Sequence, residues 1–454
     1  MHKIGQILYL LALLGGYSCF AQNLPSIPNP QAVSMPNYST EKNTQPNGRG
    51  VPSNPALFNP DVNRQKQQTE QIMQEVERNT RLQNQAMQEA QADIATIQSR
   101  VDYSLPLASS RQGTAFYHDA FKKIIVSDSL FSVKDNNFLV ENAFYENTLD
   151  QSEFDKIISN SGQFLISVMK EKNYDLDSNL AKNYMLFQFF SETLQLKNSK
   201  EKHLPFKYDF DDYMGINDYS KMFVSKLIHT GSGQCHSMPL LYLILAEEIG
   251  AEAYLSLSPS HSYIRFPDDN GKWYNIELTN GMFSTTSYIL QSGYIKSEAL
   301  QNKIYMENLS KKELLARHLT DLASGYIYKF GYDEFAQTII NKALELYPNS
   351  INARMVNANI ATARLRHVLR QLGINPADSN QRDNILYYPE AVELLRDMHR
   401  QYGVIDNLGY EHMPPEAYQK WLQDMTNEKQ KQENKAISEQ FKGILSKQTK
   451  TLKD

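Results

Sequence analysis

Cys235, His261 and Glu277 are the residues whose types and spacing could do chemistry together: a nucleophilic thiol, an imidazole base, and a carboxylate to hold the base. The cysteine lies in Gly231-Ser232-Gly233-Gln234-Cys235-His236-Ser237-Met238-Pro239, ahead of an apolar run from Leu240 to Ile249 that stops at Gly250. Such a run between glycines reads as a buried helix, with Cys235 at or beside its first turn. Unpaired backbone N–H groups and the positive end of the helix dipole favour a thiolate there. From this stretch alone, a small buried residue at a helix start fits as well.

The partners need strands. Ala253 to Leu257 is strand-like, Ser258-Pro259-Ser260 breaks it, and His261 to Phe266 resumes it. Pro267-Asp268-Asp269-Asn270-Gly271 is a turn signal, and Trp273 to Leu278 forms the next run. Alternation puts His261, Tyr263 and Arg265 on one face and Ile264 and Phe266 on the other; Trp273, Asn275 and Glu277 share a face. A hairpin turning at Asp269-Asn270-Gly271 would bring His261 near Glu277. The expected class is α+β: a small antiparallel sheet packed on a cysteine-bearing helix, embedded in a mainly helical chain.

From Gly231 to Gly281 the sequence resembles the transglutaminase-like superfamily of papain-like thiol folds. The resemblance rests on the cysteine at a helix start, on His261-Ser262-Tyr263-Ile264 opening a strand, and on Trp273-Tyr274-Asn275-Ile276-Glu277-Leu278-Thr279. Glu277 stands where Asp is commoner, and 26 positions separate cysteine from histidine, as in shorter bacterial members. The resemblance implies that Cys235 attacks a carbonyl, His261 moves the proton and Glu277 holds His261. It also makes the Cys235 N–H and the Gln234 side chain candidates for stabilising the oxyanion, since papain-like sites use a glutamine near the nucleophile. The family holds hydrolases, cross-linkers and inactive members. The expectation is an exported cysteine-dependent hydrolase or acyltransferase acting on peptide or amide bonds, with a protein or peptide substrate. The alternative is a catalytically idle protein-binding scaffold. A zinc site from Cys235, His236, His261 and Glu277 is disfavoured, because adjacent Cys235 and His236 diverge on a helix. No metal or other cofactor is expected.

The rest of the chain divides by composition. Residues 1–21 read as an export signal, with Lys3, an apolar Ile7 to Leu14 and small residues before Gln22; a lipoprotein signal at Cys19 is the competing reading. Cleavage before Gln22 would remove Cys19, so Cys235 would be an exported protein's only thiol, periplasmic or secreted. Residues 22–60 are a Pro- and Asn-rich tether. Residues 61–103 form a Gln-rich amphipathic helix on a heptad seam of Met73, Val76, Thr80, Gln83, Met87, Ala90, Ile94, Ile97 and Val101. That seam could lie on its own protein or pair as a coiled coil.

Residues 104–204 are expected to be helical, with helices at Phe116 to Val126, Phe154 to Met169 and Leu180 to Leu194, and residues 205–300 to form the thiol domain. Tyr208 to Tyr213 is acidic but lacks the spacing of a calcium loop and reads as an exposed turn. Residues 310–375 resemble tetratricopeptide helices through Gly331, Ala336, Ile340, Ala343 and Pro348, a possible surface for a protein partner. Residues 386–454 are C-terminal helices, with Trp421 an anchor, and a charged tail. Net charge is −5 without a basic aromatic patch, which argues against nucleic acid, and no run is long enough to span a membrane.

Overall fold

A computed structural model describes residues 60–108, 111–126, 131–200, 202–429 and 439. The expected export signal, most of the tether, and the charged tail beyond 429 lie outside these residues. The described chain is mainly helical, with one small antiparallel four-strand sheet. No described helix is long and apolar enough to cross a membrane.

The elements in order are α1 (Pro60–Gln98), α2 (Thr114–Val126), α3 (Val133–Phe144), α4 (Gln151–Glu171), α5 (Asn179–Ser191), β1 (Lys207–Tyr208), α6 (Val224–Thr230), β2 (Ser232–Gly233) and α7 (Ser237–Glu248). There follow β3 (Tyr254–Ser258), β4 (His261–Pro267), β5 (Trp273–Glu277), β6 (Met282–Ser284), α8 (Thr286–Leu290), α9 (Ser297–Gln301), α10 (Lys311–Phe330) and α11 (Glu334–Leu346). The last are α12 (Ile351–Gln371), α13 (Ser379–Arg382), α14 (Pro389–Asn407) and α15 (Pro415–Lys429).

Two compact units divide these elements: residues 103–367 with 393–429, and residues 60–102 with 368–392. In the second, the backbone of Asp102 exchanges hydrogen bonds with the Gln371 amide at 2.9 and 2.7 Å. Along α1 the seam residues Met73, Val76 and Met87 are 58%, 54% and 63% exposed, so no described residue covers that part of the seam.

The first unit is built around α7. Its apolar residues face all directions, and every residue from Ser237 to Ala246 is buried, as suits a helix at the centre of a core. α3, α4, α5 and α6 pack on it, and β3 and β4 meet it through Leu255, Leu257, Ile264 and Phe266. The four strands run β3-β4-β5-β6 with neighbours antiparallel, Leu255 opposite Ile264 and Ile264 opposite Ile276. Strand β6, α3, α6, and the short parallel pair β1–β2 are additions to the sequence expectation. β1 and β2 have only two residues each, too few to show a period.

A second core joins α2, α10 and α11 around Tyr117, Tyr326, Ala336 and Ala343. Ser310 and Glu313 close a capping box at the start of α10, and Asp333 caps α11 through the Phe335 and Ala336 N–H groups. Gly331 (φ +84°) ends α10, and the two helices form a hairpin there.

Candidate active site

The cysteine turn is assembled by backbone pairing. Lys207 and Asp209 donate to the carbonyls of Gly231 and Gly233, both at 2.8 Å, fixing β1 beside the chain that leads into Cys235. Gly233 is required by space: a Cβ there would stand 2.7 Å from Ser237 Oγ and 2.9 Å from Leu227. The Gln234 N–H donates to Ser237 Oγ, and its carbonyl accepts the Met238 N–H at 3.0 Å. Cys235 thus sits just ahead of α7, whose N-cap is His236, with its side chain half-buried.

The sheet meets this turn at its β3–β4 corner. Ser258 pairs with His261 across a two-residue turn whose Ser260 adopts φ +55°. Ser260 O lies 4.0 Å from Cys235 Sγ, and the Ser262 hydroxyl donates to the Cys235 carbonyl. The register of Ile264 opposite Ile276 puts Glu277 on the His261 face, one diagonal step away. His261 Nε2 donates to Glu277 Oε2 at 2.7 Å, with both side chains buried. Glu277 Oε1 accepts the Thr279 N–H at 3.0 Å, so the carboxylate is held at both oxygens. Nδ1 is left for the opposite side, where it meets the Tyr418 hydroxyl at 3.2 Å, and that hydroxyl also reaches Cys235 Sγ at 3.5 Å. The structure brings Cys235, His261 and Glu277 into one site, the imidazole bonded to Glu277 and sharing the Tyr418 hydroxyl with the thiol.

Electrostatics follow the geometry. Burial pushes the Cys235 thiol up, but the hydrogen bond and charge of His261, then the Tyr418 hydroxyl and His236, outweigh it and bring the thiol down to about 7. Burial disfavours a charged His261, while Glu277 and the thiol favour it more strongly, raising the imidazole to about 10. Thiolate and imidazolium stabilise each other.

Gln234 is brought to the nucleophile but turned from it. Its side chain is fully buried, Nε2 donates to the Asp212 carbonyl at 2.7 Å, and Oε1 has no partner. Asp212 in turn accepts the N–H groups of Ile216, Asn217 and Asp218 at 2.8 to 3.0 Å, so Gln234 braces a loop. The stretch expected to be an exposed turn is only partly one. Phe210 and Asp211 are exposed, whereas Tyr208 and Asp212 are buried.

Side chains that sequence reasoning missed complete the site. Tyr418 on α15 donates to Cys235 Sγ at 3.5 Å, and its hydroxyl lies 3.2 Å from that of Tyr208 on β1. Trp421, one turn further, stands edge-on to the His261 ring at 4.8 Å between centroids, and Tyr213 packs on Tyr418 at 5.2 Å. Trp421 had been legible as an anchor. Nothing in the sequence connected Tyr418 to a cysteine 183 positions away.

His236, beside the nucleophile, faces the other way. Nδ1 meets the Met222 carbonyl at 2.9 Å and Nε2 meets Asp321 Oδ2 at 3.0 Å, with Arg317 on the same carboxylate. Burial pushes Asp321 up, and Arg317 and His236 more than offset it, holding the carboxyl below the usual range. This pair ties the nucleophile's turn to α10. Among the described residues no group of His, Cys, Asp and Glu is arranged to hold a metal ion. Compared with known proteins, the chain matches no family model, no curated protein and no solved structure.

Proposed function

We propose that this chain is a cysteine-dependent acyl-transfer enzyme of the transglutaminase-like type, acting on peptide or amide carbonyls through Cys235, His261 and Glu277. The observation that carries the reading is the succession itself: a half-buried thiol lowered to about 7, an imidazole beside it, and a buried carboxylate 2.7 Å from the imidazole's other nitrogen. A core cysteine with no chemical task needs none of this, and burial alone would raise its pKa.

In that mechanism the thiolate attacks the carbonyl carbon, forming an acyl-thioester after His261 gives its Nδ1 proton to the leaving amine. A water or an amine then enters, His261 takes its proton, and the thiolate is released. Glu277 keeps the ring oriented and stabilises its cationic form. Water as acceptor gives hydrolysis, and a lysine amine gives a cross-link. Tyr418 and Trp421 stand beside the thiol and imidazole, so α15 borders the path of a carbonyl to Sγ.

The test is turnover of a general protein substrate, fluorescent casein with and without a dansylated amine, by the wild-type chain and by Cys235→Ala. Cleavage or amine incorporation by wild type alone is expected. If neither occurs and the thiol titrates like an ordinary cysteine, the enzyme reading fails.

A second reading, a protein-binding scaffold, draws on the exposed seam of α1. A long helix in water takes most of its stability from packing an apolar face, and this one leaves Met73, Val76 and Met87 uncovered. The tetratricopeptide-like reading of α10 and α11 belongs to the same proposal.

A further inference from the structure

We infer that Tyr208 is a catalytic residue of this site: its hydroxyl, and not the Gln234 amide, donates to the oxyanion that forms when Cys235 attacks a carbonyl. This rests on the acyl-transfer reading.

Of the side-chain donors near the nucleophile, Ser262 is bonded to the Cys235 carbonyl and Trp421 rides on α15 with Tyr418, which leaves Gln234, Tyr418 and Tyr208 to compare. Gln234 has committed its nitrogen to the Asp212 carbonyl at 2.7 Å. Tyr418 rides on α15, 183 positions from Cys235 and outside the segment that carries it, and its hydroxyl is already spent on the sulfur itself. Tyr208 differs from both. It lies on β1, opposite Gly233, and the backbone bonds from Lys207 and Asp209 tie it to the segment that carries Cys235. The donor and the nucleophile therefore share one rigid frame, the condition for a preorganised oxyanion site.

Tyr208 is also left with something to bind. It is buried, and its hydroxyl lies 3.2 Å from the Tyr418 hydroxyl, which itself reaches the thiol at 3.5 Å. If an incoming carbonyl displaces the Tyr418 hydroxyl, the Tyr208 O–H loses that partner and needs an acceptor. A carbonyl oxygen arriving over Sγ supplies one. Burial, and the negative charge of the thiolate, hold the Tyr208 phenol well above its ordinary value, so it stays a donor throughout the working pH range. The Cys235 backbone N–H is its natural companion at the oxyanion.

An activated ester, p-nitrophenyl acetate, tests this without knowledge of the natural substrate. The Cys235 thiolate forms a C–S bond to the acetyl carbon while the carbonyl π pair moves onto oxygen, where Tyr208 donates. Collapse restores C=O and expels p-nitrophenolate, leaving acetyl-Cys235. Alkylation of the same thiol by iodoacetamide passes through no oxyanion and reads thiolate reactivity alone.

In the full chain, Tyr208→Phe should slow acetylation by about 10²-fold while changing the alkylation rate and its pH midpoint by less than about two-fold and a few tenths of a unit. Tyr418→Phe, which removes one donor to the thiol, should slow acetylation no more than it slows alkylation. Acetylation and alkylation falling together in Tyr208→Phe, or neither changing, overturns the assignment. So does an equal loss in Tyr418→Phe, or a wild-type thiol that alkylates at low pH but is not acetylated. A wild-type thiol with an ordinary alkylation midpoint instead sinks the acyl-transfer reading, and the role of Tyr208 with it.

Discussion

At Cys235 two opposing effects act on one sulfur. Burial raises the thiol and His261 lowers it, and the balance leaves it near 7. The sign determines the pH profile. A lowered thiol pKa means that the thiolate is present above about 7, and a raised imidazole pKa means that the proton on His261 persists up to about 10. The ion pair therefore holds between those values. Iodoacetamide labelling of Cys235 should reach half its maximum near pH 7, and turnover should rise through about 7 and fall through about 10. His261→Ala removes the lowering influence and keeps the burial. The labelling midpoint should then move up by more than about one unit, past that of a free cysteine near 8.5. Glu277→Gln retains the shape of the partner but loses its charge and leaves the tautomer wrong; turnover should drop about 10³- to 10⁴-fold, with the melting transition nearly unchanged. A loss below ten-fold would remove Glu277 from the mechanism.

Among the elements, α7 and α15 have contrasting roles. α7 is buried from Ser237 to Ala246, so truncating an apolar side chain there opens a cavity in the core. Leu241→Ala should cost about 2–5 kcal/mol in denaturant unfolding. α15 covers the site with Tyr418 and Trp421. Trp421→Ala removes the edge-on contact with His261 and should speed alkylation several-fold by opening access to the sulfur. A rate equal to or below wild type would show that α15 supports the site and does not cover it. The α10–α11 hairpin can be tested by overpacking: Ala343 is fully buried, and Ala343→Leu should cost about 1–3 kcal/mol.

For the whole molecule, the unit that holds the thiol is complete in its own cores, whereas α1 is not. Its seam keeps three- and four-residue steps, and the positions flanking it include Asn79, Asn84, Ala86 and Gln91, which raise no charge repulsion between identical helices. Light scattering of the full chain should give a mass above the 52.2 kDa of one copy, falling to one copy in Val76→Glu/Met87→Glu. A single-copy mass for the wild type would exclude self-pairing. Alkylation of Cys235 should be the same in both proteins, because the substitutions leave Cys235, His261 and Tyr418 unchanged.

Local patterns in the sequence carried the order of the site: an apolar run between glycines, a histidine after a Ser-Pro-Ser break, and a carboxylate at strand spacing beyond an Asp-Asn-Gly turn. Each depends on neighbours within a few positions, so each is legible before the chain folds. The tertiary structure decided what those patterns could not. It turned Gln234 onto Asp212, because a buried carbonyl there needs a donor. It brought Tyr418 from a helix far along the chain to the sulfur, and Tyr208, from a strand too short to show a period, to the Tyr418 hydroxyl. It also set His236 against Asp321, across 85 positions. Sequence periodicity tells which face of an element is buried, but not which other element buries it. The partners of the thiol were therefore settled only when α7, the β3–β4 corner and α15 met.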